Sequence, residues 1–112
     1  MKALSSLLVL AFALATGVAS ADDEALSPQQ QQGKRAYNHI CVYCHSPGVW
    51  GTNRLSKRMD KEKAVLENRT DLSAALVQTV VRTGIGSMPP LRKSELSDAD
   101  LAAVAAYLAR SR

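Results

Sequence analysis

The stretch "HICVYCHSPG", residues 39–48, holds both cysteines of the chain, Cys41 and Cys44, three residues apart, with His45 directly after the second. Three chemistries use such a pair: a redox disulfide, a zinc site and the covalent attachment of a haem. A thioredoxin-like redox pair follows a strand in a βαβ setting, whereas the residues before Cys41 carry helical signals. Zinc takes four ligands, normally brought from two separated stretches. Here Cys41, Cys44, His45 and His39 crowd into one segment, and no other cysteine or histidine exists. Cys-x-x-Cys-His is the c-type attachment pattern. Both thiols form thioethers to the haem vinyl groups, and the adjacent imidazole ligates iron from one face.

Working outward, the N-terminus bears on compartment. "MKALSSLLVLAFALATGVASADDE", residues 1–24, has a basic start at Lys2, an apolar run from Leu7 to Ala15 and small residues at Ala19-Ser20-Ala21. This is the layout of a secretory signal peptide. The run is short for a membrane span of about 20 residues, and no cysteine near the cleavage site offers a lipid anchor. The expectation is cleavage after Ala21, export to the periplasm, and a single domain over residues 22–112 with no membrane anchor. Removing 21 residues from 112 leaves 91, a length at which a core is marginal and a large cofactor adds apolar volume. Aromatic residues make up only 4% of the chain, so a haem has a packing role to fill.

Lys and Arg number 14 against 10 Asp and Glu. The two signs are interspersed and no stacking platform is visible, which argues against a nucleic-acid partner. "SPQQQQG", Ser27 to Gly33, opens a helix with Ser27 as cap and Pro28 in the first turn, running to about Cys44. Lys57 to Glu67 is expected as a short polar helix. Leu72, Ala75, Leu76, Thr79, Val80 and Thr83 recur along one helical face, and Gly84 follows as a C-terminal stop. Ser97 and Asp100 form a capping-box-like start with Asp in place of Glu, and Leu101, Val104, Ala105 and Leu108 supply the buried stripe behind it. No strand is evident, so the fold class is all-α.

An iron held by His45 has an opposite face. His39 shares the segment of His45 and does not reach across. Met59 lies among Lys57, Arg58, Asp60 and Lys61 and is expected to be solvated. Met88 lies in "GIGSMPPL", Gly84 to Leu91, where glycines permit close approach to a flat macrocycle and Pro89 and Pro90 stiffen the loop. Met88 is therefore the expected second axial ligand, and a histidine–methionine pair favours electron transfer over ligand binding.

On these residues the chain resembles a class I c-type cytochrome with one haem. The match rests on "CVYCH", on "SMPP" and on a pattern joining the terminal helices. In that family a glycine and an aromatic precede the first haem cysteine at steps of four, matching Gly33 and Tyr37. An aromatic of the last helix, matching Tyr107, packs on that glycine, with Val104 three residues earlier. The resemblance implies terminal helices crossing at Gly33 and helices wrapped around one covalently bound haem c. Many members follow the histidine with a Gly-Pro step whose carbonyl orients the imidazole. This chain has Gly51-Thr52 there, which leaves the acceptor for the His45 ring N–H open. Trp50 either covers a haem edge, donates to a propionate or anchors its loop.

No general base, second metal or substrate pocket is evident, so the chain is expected to carry single electrons and not to act as an enzyme by itself. A haem peroxidase or a gas-binding sensor would need an open sixth site. The tail "VVRTGIGSMPPLRKSELSDADLAAVAAYLARSR" is similar to the small cytochrome subunits of flavocytochromes of the 4-cresol dehydrogenase and eugenol hydroxylase kind. That similarity implies a flavin-dependent dehydrogenase subunit, acting on para-substituted phenols, as redox partner; a free shuttle to a respiratory chain or another periplasmic dehydrogenase is the alternative. Arg54, Lys57, Arg58, Lys61, Lys63 and Arg69 form a basic stretch that is either a solvated face or part of a docking surface.

Overall fold

In the computed structural model the described residues are 25–110; the expected signal peptide, residues 1–21, lies outside them. Among them five α-helices follow one another: α1 (Pro28–Ala36), α2 (Val42–His45), α3 (Trp50–Leu55), α4 (Ala74–Thr83) and α5 (Asp98–Leu108). A π-helical turn, Tyr37–Cys41, joins α1 to α2, and a 3-10 turn spans Leu66–Asn68. Among the described residues there is no strand, only a bridge between Ile85 and Met88. The fold is all-α, as the sequence indicates.

Local chemistry accounts for the helix ends. The Ser27 hydroxyl accepts from the Gln30 N–H while the Gln30 side chain accepts from the Ser27 N–H, a full capping box. Ser73 caps α4 through the Leu76 N–H, and Ser97 caps α5 through the Asp100 N–H. Gly84 ends α4 with φ 70°, a conformation that costs a side-chain-bearing residue dearly.

The core is built where α1 crosses α5. Gly33 is buried, and a Cβ on it would overlap the Ala103 carbonyl and lie 2.9 Å from Tyr107 Cβ. Only glycine lets the two backbones approach this closely. Tyr37 and Tyr107 meet beside the crossing with ring centroids 5.9 Å apart and planes tilted by 55°, a favoured aromatic arrangement. Gln32 donates to the Asp100 carboxylate at 3.0 Å along the same seam. Helix α5 is apolar nearly all round because it is enclosed on several sides. Ala103 and Tyr107 meet α1, while Val104 and Leu108 turn to a cavity.

Two expectations need correction. Lys57 to Glu67 is not a helix. It is a run of turns in which the Asp60 carboxylate accepts the Glu62 N–H and its carbonyl accepts the Ala64 N–H; an aspartate side chain that captures a nearby backbone N–H competes with helix formation. Helix α3 lies earlier, at Trp50–Leu55, where Gly51 packs against the Cys44 carbonyl. On α4 the buried residues are Val77 and Val81, while Ala75, Thr79 and Thr83 are exposed. The expected stripe is off by about one residue, because α4 packs on α5 with one side and lines the cavity with Leu76 and Val80.

Candidate haem site

A cavity of about 620 Å3 opens between α2, α3, α4, α5 and the loop after α4, within the size range of small-molecule and cofactor sites. Cys41, Cys44 and His45 line it from α2 and the π turn before it. A π turn carries one residue more than a regular turn, so it re-aims these side chains relative to the face of α1 that meets α5. Val77, Val81, Val104 and Leu108 supply apolar lining.

From across the sequence, Met88 reaches the same cavity. Its loop is held at both ends. Ile85 and Met88 exchange two backbone hydrogen bonds, at 3.1 and 2.9 Å. A Cβ at Gly84 would come within 2.6 Å of the Met88 carbonyl oxygen. At the far end the Leu91 N–H donates to the Val81 carbonyl at 2.8 Å. Arg82 donates to the Leu91 and Leu96 carbonyls at 3.0 and 2.9 Å and to Asp98 at 2.7 Å.

The electrostatics fit coordination better than thiol redox chemistry. Burial, with help from the neighbouring Cys44, pushes the Cys41 thiol up to about 11. A redox-active pair needs the opposite shift. Burial also holds His45 below its ordinary value, favouring the neutral imidazole that metals bind. Its Nδ1 is buried without a hydrogen-bond partner. Among the described residues no group of three or more His, Cys, Asp or Glu converges as a metal site of its own.

Several cavity residues were not legible as such in the sequence. Met59, expected to be solvated, is half-buried and lines the cavity, because the turn after α3 folds it back: its N–H donates to the Leu55 carbonyl at 3.2 Å. Arg54, Lys57, Arg58 and Arg69 also line it, so four of the six residues of the basic stretch face the cavity instead of forming an outer patch. Arg69 is held by Asp71 through two bonds of 2.8 and 3.0 Å. Trp50 lines the cavity and carries the Arg54 guanidinium 5.9 Å from its ring centroid. It is a wall of the cavity more than a loop anchor. His39 is exposed and lies off the cavity lining.

An apolar cleft with two thiols and a neutral imidazole on one wall, a thioether opposite in sequence and guanidinium groups among its lining suits a flat apolar macrocycle carrying two carboxylates. Residues 28–108 match the family model described as "Cytochrome C oxidase, cbb3-type, subunit III". The chain belongs to this family of c-type cytochromes. The matched span of the cytochrome contains Cys41, Cys44, His45 and Met88. It is also similar to the cytochrome c subunit of 4-cresol dehydrogenase [hydroxylating] of Pseudomonas putida, 36% identical over 102 residues, covering 89% of this chain and 75% of that one. No solved structure matches it significantly. The cofactor of the family is haem c, and the cytochrome is an electron carrier, not a catalyst in its own right. No helix among the described residues is long and apolar enough to cross a membrane.

Proposed function

We propose that this cytochrome is a periplasmic carrier of single electrons holding one covalent haem, and that it accepts electrons from a flavin-dependent dehydrogenase subunit acting on para-substituted phenols. What carries the reading is that His45 and Met88, 43 positions apart in the sequence, line one apolar cavity together with both cysteines. Cys41 and Cys44 would hold the haem by thioether bonds, and His45 and Met88 would be its axial ligands. The bound haem supplies a ferric–ferrous couple. Around it the chain's own residues do the tuning. The Met88 thioether favours the ferrous form and so raises the potential relative to a second imidazole. Val77, Val81, Val104 and Leu108 exclude water from one side of the cavity. Arg54, Lys57, Arg58 and Arg69 would meet the propionates.

Cleavage after Ala21 and export fit this assignment, since the signal-like N-terminus precedes a site whose thiols would be consumed by attachment. The partner is inferred from the Pseudomonas putida relative, whose printed name makes it the cytochrome subunit of a 4-cresol dehydrogenase. The loop around Met88 would present the haem edge to that partner, with help from the basic residues. Three measurements test the function. A weak red absorption band in the ferric protein should mark methionine ligation. Rapid carbon monoxide binding by the ferrous form, with no such band, would overturn the carrier assignment. Purification under mild conditions should bring down a flavin-containing subunit that reduces the cytochrome when given a para-alkylphenol.

A further inference from the structure

A histidine that binds a metal through one ring nitrogen almost always donates its other N–H to an oxygen, which fixes the ring and raises its basicity. A donor left buried and unpaired is destabilising. Nδ1 of His45 is such an atom, and neither the Val42 nor the Thr52 carbonyl accepts from it. The Val42 carbonyl accepts from the Ser46 N–H at 3.1 Å. The Thr52 carbonyl accepts from the Ser56 N–H at 2.9 Å within the end of α3.

One further side-chain oxygen is in the same condition. Thr52 is 5% exposed, and its Oγ1 is buried without a partner. The two orphans sit on touching segments. Gly51 is packed so tightly on residue 44 that a Cβ there would overlap the Cys44 carbonyl and lie 3.3 Å from Cys44 Cβ; His45 and Thr52 are the next residues on either side of that contact. A threonine hydroxyl has two lone pairs, so it can accept from an imidazole whichever way its own proton turns.

We propose that Thr52 is the positioning residue of the haem ligand, its hydroxyl accepting the hydrogen bond of the His45 Nδ1–H. The tight Gly51 contact holds the two segments together, so that the bond, absent while both atoms lack a partner, would form as the imidazole turns toward iron and would fix it there. By making His45 a stronger donor it stabilises the ferric state and lowers the potential. This rests on the reading of His45 as an iron ligand.

The test uses the full-length holoprotein with Thr52→Val, Thr52→Ser and Thr52→Ala. Hyperfine-shifted ring resonances of His45 in the ferric wild type first establish its ligation, independently of Thr52. Thr52→Val keeps the shape and removes the acceptor. It should raise the midpoint potential and speed solvent exchange of the His45 Nδ1 proton, with the optical spectrum of a six-coordinate haem retained. Thr52→Ser should return both quantities to the wild-type values. Thr52→Ala gives the same comparison if the valine variant fails to incorporate haem. With His45 ligated, an unchanged potential and exchange rate in Thr52→Val would overturn the proposal and leave a backbone carbonyl or water as the acceptor. A shift that serine does not reverse would also overturn it, marking a packing effect.

Discussion

Arg82 on α4 and Asp98 at the first position of α5 are joined at 2.7 Å, and between them runs the loop that carries Met88. The Arg82 side chain, 23% exposed, also donates to the Leu91 and Leu96 carbonyls, so one side chain ties the far half of the loop to both flanking helices. Arg82→Gln should leave those carbonyls poorly satisfied and cost about 1–3 kcal/mol in chemical denaturation. The red band assigned to Met88 ligation should vanish on heating well before the far-UV helical signal. Coincident loss of the two signals would show that the loop is not held by Arg82.

Asp98 is also met by Lys93 at 2.6 Å. Hydrogen bonds from Lys93 and then Arg82 hold its carboxyl below the ordinary value of 3.8. The sign follows from that direction. Its contribution is fully present above about pH 4 and fades as the pH falls through the lowered folded-state value. Asp98→Asn should therefore weaken the fold at neutral pH and narrow its difference from wild type as the pH falls through that lowered value. Parallel acid titrations by circular dichroism read this directly.

Gly33→Ala places a methyl group against the Ala103 carbonyl at the α1–α5 crossing. The backbones must separate, at a cost of about 1–3 kcal/mol or more. Thermal unfolding should shift down and haem incorporation should fall. An alanine variant as stable as wild type would mean the crossing is looser than described.

Met88 and Met59 both line the cavity, and single substitutions separate their roles. Met88→Ala should lower the potential and expose iron to carbon monoxide, with the fold mostly kept. Met59→Ala should change the potential less and leave the methionine–iron band in place. The reverse outcome would transfer the ligand assignment to Met59.

For partner docking the informative lysines are those off the cavity. Lys61 and Lys63 are exposed and are not among its lining residues, unlike Lys57 and Arg58. Reversing both to glutamate should slow reduction by the flavin subunit and weaken its salt dependence, with potential and haem content unchanged. Stopped-flow rates identical to wild type would leave these residues as a solvated face.

The sequence by itself determined whatever is written within a turn or two of chain. Cys-x-x-Cys-His needs only local spacing. The caps at Ser27 and Ser97 satisfy N–H groups three residues on, and Gly84 stops α4 because its own φ is positive. Even the Gly33–Tyr107 crossing was legible, though only through the resemblance to class I c-type cytochromes, in which a glycine and an aromatic so placed pack together. What only the tertiary structure decided depends on packing between distant segments. Six residues, Trp50 to Leu55, hold too little periodicity to announce a helix; α3 exists because Gly51 lets it lie on the Cys44 carbonyl. The one-residue rotation of the buried face of α4 follows from its sharing that face between α5 and the cavity. Met59, Arg54 and Arg58 look solvated by composition, yet the turn after α3 folds back and brings them to the cavity. The partnerless pair of Thr52 and His45 has the same origin, because burial of a polar atom is a property of the walls around it and those walls come from elsewhere in the chain.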